Sequence, residues 1–162
     1  MNDAVLIREL TEGDLEEVAA IYAYESAHAY STFETEQRPA SSWAPRLTNG
    51  DVFLVAEVDG RVRGFAYASP FRDRPAYHLT RETSVYVHRD ARGQRLGSLL
   101  YAALLPRLRE QGMHTALALV ALPNEGSVRL HEQHGFALTG TMREVGDKLG
   151  RMIDVGIFQL ML

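Results

Sequence analysis

The chain has 162 residues, enough for one domain (1–162) with a sizeable core. Its hydrophobic content of 46% and charged content of 23% are those of an ordinary globular protein, and its formal net charge of −4 gives no electrostatic reason to expect nucleic acid. It contains no cysteine, which excludes disulfides, thiolate metal sites and a cysteine nucleophile.

The opening MNDAVLIREL is acidic and mixed rather than a signal peptide, and no window approaches the roughly 18 apolar residues of a membrane span. No membrane association and a cytoplasmic location are therefore expected. Val5–Leu10 reads as a short strand. The segment after it carries Leu15, Val18, Ala19 and Tyr22 at helical spacing, with Asp14 and Glu17 placed as a capping box. Arg38–Leu47 holds two prolines and supports a short helix or turn at most. Asp51–Val58 and Arg61–Phe71 read as two strands joined by Asp59-Gly60, a strong hairpin signal. Arg72–Tyr77 is a polar loop and Thr80–Val87 another strand.

From Leu96 onward, Leu99, Leu100, Ala103 and Leu104 make one apolar helical face, with Gly112 placed to end the helix and Pro106 expected to bend or shorten it. Thr115–Leu122 is a buried-type strand, NEGSVRLHEQHGF a short helix closed by Gly135, and Arg151–Leu162 a final strand. The order β-α-(α)-β-β-β-α-β-α-β, with room for one further strand, predicts a mixed α/β domain.

A strand that runs through a glycine-containing turn into a helix aims backbone N–H groups and the positive end of a helix dipole at one place, which favours an anion. Here the turn is ARGQRLGS, with Arg89, Arg92 and Arg95 nearby. It is neither of two familiar phosphate loops. Gly97 is followed by Ser98-Leu99 rather than Lys-Ser/Thr, and three residues separate Gly93 from Gly97, unlike G-x-G-x-x-G.

The stretch resembles motif A of the GNAT acetyltransferase superfamily, Arg/Gln-x-x-Gly-x-Gly/Ala after a Val-x-Val strand. Val85-Tyr86-Val87 and Arg92-Gly93-Gln94-Arg95-Leu96-Gly97 supply it, with Arg95 in place of the first motif glycine. LPNEGSVRLHEQHGF is similar to the downstream superfamily pattern at Asn124, Ser127, Glu132, Gly135 and Phe136, with His131 where tyrosine is common. YSTFETE, RPAY, ETSVYV and GDKLGRMIDVGIFQL look like the phosphinothricin and methionine sulfoximine N-acetyltransferase branch.

The resemblance implies a GNAT fold, with a central, mostly antiparallel sheet splayed at the acetyl-CoA site and flanked by helices. It also implies acetyl-CoA as cosubstrate and direct transfer to the amine of a small amino-acid-like molecule. Val85, Tyr86, Val87, Arg92–Gly97, Ser98 and Asn124 are then the cofactor-binding positions. An amine attacks only as the free base, so a general base is needed, and Glu82 holds the family's carboxylate position. Backbone N–H groups of the splayed strand would receive the oxyanion.

His131 is a candidate acid for the leaving thiolate, or equally a histidine bonded to a backbone group. Asn124 holds the pantetheine arm, caps its own helix, or does both. Arg74 could pair with an acceptor carboxylate, and Phe33 and Tyr77 could wall the pocket. The histidines of HEQH are three apart, not the four of a zinc-binding helix, and no metal is expected.

Other amines remain open, namely a polyamine, an aminoglycoside or a protein N-terminus, as does a non-catalytic acyl-CoA-binding module. The acidic FETE segment suits a cationic acceptor and Arg74 an anionic one. A homodimer is expected from the family and the apolar final strand. Residue 95 is expected to keep a negative φ, as the first turn of a helix would.

Overall fold

In the computed structural model, which describes residues 4–162, seven strands form one sheet in the order β1-β2-β3-β4-β5-β7-β6. The elements are β1 (Leu6–Glu9), α1 (Leu15–His28), β2 (Phe53–Val58), β3 (Arg61–Pro70), β4 (Thr80–Val87), α2 (Leu96–Glu110), β5 (Thr115–Leu122), α3 (Glu125–Gln133), β6 (Ala137–Lys148) and β7 (Arg151–Met161). Four short 3-10 turns complete the chain, one of them over the proline-bearing Ala40–Leu47. Every neighbouring strand pair is antiparallel except β4–β5. Residues 1–3, the first part of the segment read as unlike a signal peptide, lie outside the described residues.

Strand alternation divides the core. In β2, Leu54 and Ala56 face α2, while Phe53 and Val55 face α1 and Trp43. With helices on both faces, β2 is apolar and buried without alternation from Phe53 to Ala56, and its polar residue, Glu57, comes near its end. The β2–β3 hairpin turns at Asp59-Gly60 with both residues at positive φ (53° and 72°), as a two-residue turn matching strand twist requires.

The stripe on α2 is Leu96, Leu100, Leu104 and Leu108, joined by Tyr101 and Leu105, all buried. Leu99 lies at the edge of that stripe and is 40% exposed, contrary to its expected inward place. Pro106 does not end the helix, which continues to Glu110. Burial of Leu104, Leu105 and Leu108 around it offsets the one backbone hydrogen bond that proline cannot make.

The first turns are built differently from the expected capping box. Asp14 is buried, and its carboxylate accepts two bonds from the Arg8 guanidinium (2.7 and 2.8 Å) and two from the Thr11 amide and hydroxyl (both 2.8 Å). Glu17 instead reaches the β2–β3 hairpin, accepting from the Val62 amide at 2.8 Å and pairing with Arg61. Hydrogen bonds from Arg8 hold the Asp14 carboxyl below the usual range, against burial.

Asp14→Asn is expected to cost about 2 kcal/mol, the scale of a lost charge-assisted contact in a buried place. Because the folded state depresses this carboxyl, its contribution is complete above the ordinary aspartate pKa and fades as pH falls through the folded value. Urea denaturation at falling pH would show the difference between wild type and variant holding down to the ordinary aspartate pKa and shrinking only below it.

The strand sequence analysis left open is β6. Its outward pattern is almost wholly exposed, it pairs only with β7, and its register slips twice, so no clean alternation marks it.

Candidate active site

β4 and β5 begin side by side and then part. Their pairing covers Thr80–Glu82 against Thr115–Leu117 and stops, although β4 runs on to Val87 and β5 to Leu122. β4 stays paired to β3 from Arg81 to Val87, so one edge of Thr83–Val87 is opened and the other is held rigid. A cavity of about 1280 Å³ occupies the gap.

Glu82 is the last residue of the paired stretch and faces that cavity. It is half-buried, and desolvation raises its carboxyl above the ordinary glutamate range; the Arg72 charge opposes the rise. A carboxylate shifted in this direction is a better proton acceptor near neutral pH. Val85 and Val87 pack their side chains toward α2, while the Tyr86 ring meets Tyr22 edge-on at 5.2 Å. All three line the cavity with their strand.

At the far end of the cavity the chain turns into α2. Gly93 has φ 83°, and Arg95, the residue that caps α2, has φ 62° and ψ 19°. The expected negative φ at residue 95 is wrong. This turn demands a left-handed residue, which explains why glycine suits the position and makes the arginine backbone strained. Arg95 still lines the cavity, and among the described residues its guanidinium makes no ion pair or hydrogen bond. The amides of Leu96, Gly97 and Ser98 open a helix and have no carbonyl four residues back to pair with. A Cβ on Gly97 would come within 3.2 Å of Leu130, so the close approach there uses the missing side chain.

These amides, the helix dipole and an unpaired guanidinium fit a pyrophosphate, and the long cleft between β4 and β5 fits a pantetheine arm. Gln94 is not part of the lining; its amide bonds back to the Ala91 carbonyl at 3.4 Å. Arg92 lines the cavity but is held by Glu25 at 2.9 Å.

Asn124 lines the cavity and also caps α3, its side-chain oxygen accepting from the Ser127 amide at 3.1 Å. Of the two readings of His131, the geometry favours the structural one. The ring is 3% exposed; Nδ1 donates to the Ser127 carbonyl at 2.7 Å, leaving Nε2 to accept from the Tyr101 hydroxyl at 2.9 Å. Burial lowers its pKa, so the neutral form is favoured, and neither nitrogen has a spare proton to give. Tyr101 is itself fully buried and bonds Thr83 at 3.0 Å.

On the acceptor side, Phe33 lines the cavity, whereas Arg74 and Tyr77 do not. Tyr77 packs edge-on against Phe71 at 5.3 Å, in a short turn that begins after Arg74. The cation acting on Glu82 is Arg72, two residues earlier in the same loop, which no spacing rule could separate from Arg74. Sequence reading also missed Tyr67, Met142 and Val145 in the lining; the last two belong to the strand that was not resolved as one. No cluster of metal-ligating residues forms among the described residues.

The family profile for the Acetyltransferase (GNAT) family matches residues 17–136. Phosphinothricin N-acetyltransferase of Streptomyces viridochromogenes is 40% identical over 158 residues, which cover 96% of this chain and 86% of that protein. The L-methionine sulfoximine/L-methionine sulfone acetyltransferase of Pseudomonas paraeruginosa is 36% identical over 163 residues, covering 96% and 94%. Among solved structures, a GNAT phosphinothricin acetyltransferase from Sinorhizobium meliloti in complex with acetyl-CoA superposes with a TM-score of 0.94 at 32% identity, covering 98% of this chain and 88% of that one. The chain thus shares its fold with a protein that holds acetyl-CoA, and it belongs to the GNAT family as an acetyl-CoA-dependent N-acetyltransferase.

Proposed function

We propose that the acceptor is a small amino-acid-like amine of the phosphinothricin or methionine sulfoximine class, and that Glu82 is the general base. The observation that carries this is the position of Glu82: a half-buried carboxyl at the fork where β4 leaves β5, facing the cavity. Acetyl-CoA supplies the activated acetyl group as a thioester. Glu82 takes the proton from the acceptor ammonium, directly or through one water. The negative charge that builds on the carbonyl oxygen meets backbone N–H groups of β4 between Thr83 and Val87, held rigid by β3; collapse of the adduct then breaks the C–S bond, and the CoA thiolate leaves with a second proton of the attacking nitrogen, directly or through water.

His131 has a different place in this scheme from an acid. With both nitrogens bonded, it fixes α3 against Tyr101 and so holds the cavity wall. Arg72 acts by its charge on Glu82, but like Arg74 it lies outside the cavity lining, with its guanidinium over the Phe71 ring at 5.0 Å. The FETE segment gives less support to a cationic acceptor than its composition suggests, because Glu34 is paired with Arg38 at 2.6 Å.

An assay of CoA thiol release over a panel of amines tests the reading. Methionine sulfoximine, methionine sulfone and phosphinothricin should be turned over with kcat/KM well above that for spermidine or an aminoglycoside. Preference for the cationic amines would overturn it. We also infer a homodimer through β6 and β7, where exposed Leu138, Met142 and Val145 lie on the edge strand β6 and exposed Met152 on its neighbour β7. Sedimentation should give about twice the 18.1 kDa chain mass, and Val145→Asp should halve it.

A further inference from the structure

After α1 the chain has no regular structure until the 3-10 turn at Ala40, yet Ala29–Phe33 forms one wall of the cavity. Three contacts hold this irregular wall, each with a buried partner on the far side. Lys148, 4% exposed at the end of β6, donates from Nζ to the Thr32 carbonyl at 2.6 Å and to the Glu25 carbonyl at 3.3 Å. The Glu25 carboxylate, also buried, accepts from the Ser31 hydroxyl on one oxygen and from Arg92 on the other. Gly146 lies directly against the Phe33 ring, where any Cβ would overlap it.

A buried ammonium is expensive, and replacing one by an apolar side chain of similar volume is often neutral for stability. Burial pulls the Lys148 pKa down, while the charges of Glu25 and Glu34 pull it up. Its shorter bond is to the Thr32 carbonyl, in a segment without ladder partners of its own, and its longer one is to the Glu25 carbonyl in the last turn of α1, so its evident effect is to tie that segment to the helix end. Glu25 is hydrogen-bonded both to this wall, through Ser31, and to Arg92 of the turn before α2.

We propose that Lys148 and Glu25 are positioning residues: Lys148 sets the Ser31–Phe33 wall for the acceptor amine, and Glu25 ties that wall to Arg92 of the cofactor turn. This rests on the reading that the Phe33 end of the cavity receives the acceptor. Lys148 touches no reacting atom, so its loss should appear in acceptor binding rather than in the chemical step.

Lys148→Met in the full chain is expected to raise KM for the acceptor at least 10-fold, with KM for acetyl-CoA and kcat within about threefold. Hydrogen exchange of amides 29–34 should speed up at least 10-fold while that of β2 and β3 is unchanged. Lys148→Arg should restore most of the acceptor KM. Glu25→Gln should raise both KM values, since it touches both sides. Should Lys148→Met fold poorly, Gly146→Ala displaces Phe33 with Lys148 intact and is expected to give the same acceptor-specific rise.

An unchanged acceptor KM in Gly146→Ala, or equal losses in kcat and both KM values in Lys148→Met, would overturn the proposal. The base reading fails separately: a fully active Glu82→Gln removes it without touching the division between the two KM values.

Discussion

Glu82→Gln is expected to lower kcat by about 10²–10⁴-fold while leaving acetyl-CoA affinity within about twofold. The amide keeps the size and the fork position of the side chain but cannot accept the ammonium proton. Glu82 lies at the end of the β4–β5 pairing, away from the α2 N-terminus, so loss of its charge should leave the phosphate end of the cavity alone.

The pH profile carries the same argument. The base must be ionised, so kcat/KM rises with pH through the Glu82 titration. Desolvation raises that carboxyl, which moves the acidic limb above the ordinary glutamate range, and Arg72 limits the move. In Glu82→Gln this limb should vanish, leaving only the later rise from the acceptor's own ammonium. Arg72→Ala should shift the limb further upward, because its charge is what favours the carboxylate. Calorimetry with acetyl-CoA and stopped-time kinetics across pH would check each part. Retained turnover in the Gln variant would remove Glu82 from the chemistry.

Much of this site was legible in the chain because its signals are local. The Asp-Gly hairpin, the Val-x-Val strand, the glycine-bearing turn and the asparagine cap each act within a few residues, and each lies where its spacing puts it. What the sequence could not show depends on partners far along the chain. Nothing in the residues beside Lys148 marks it, and only the fold brings it to the Thr32 carbonyl 116 residues away. His131 stands open between an acid and a histidine bonded to a backbone group, and the chain alone does not show that Tyr101, 30 residues earlier, takes its second nitrogen. β6 hid because an edge strand with two register slips has no alternation to read, and with it went Met142, Val145 and Gly146. Arg72 and Arg74 share one loop, and chain order cannot say which one faces a carboxylate.

Arg95 is where both kinds of reading meet, and Arg95→Gly should move stability and affinity in opposite directions. At φ 62° an arginine carries a left-handed penalty of about 1–2 kcal/mol, which glycine avoids. Glycine's greater freedom in the unfolded chain returns about half of that, so the variant should be more stable by about 0.5–1 kcal/mol. The same change deletes an unpaired guanidinium from the cavity wall beside the opening amides of α2. A charge-assisted contact to phosphate is worth about 1.5–3 kcal/mol, so acetyl-CoA should bind about 10–100-fold more weakly, and with a shallower salt dependence. Arg95→Ala separates the two effects: it loses the charge and keeps the strain, so it should match the glycine variant in affinity and fall below it in stability. Equal stability of the alanine and glycine variants would mean that this turn relaxes when the residue changes. Equal affinity of all three proteins would mean that the backbone amides alone hold the phosphates, and that the arginine's strain is offset by nothing at this site.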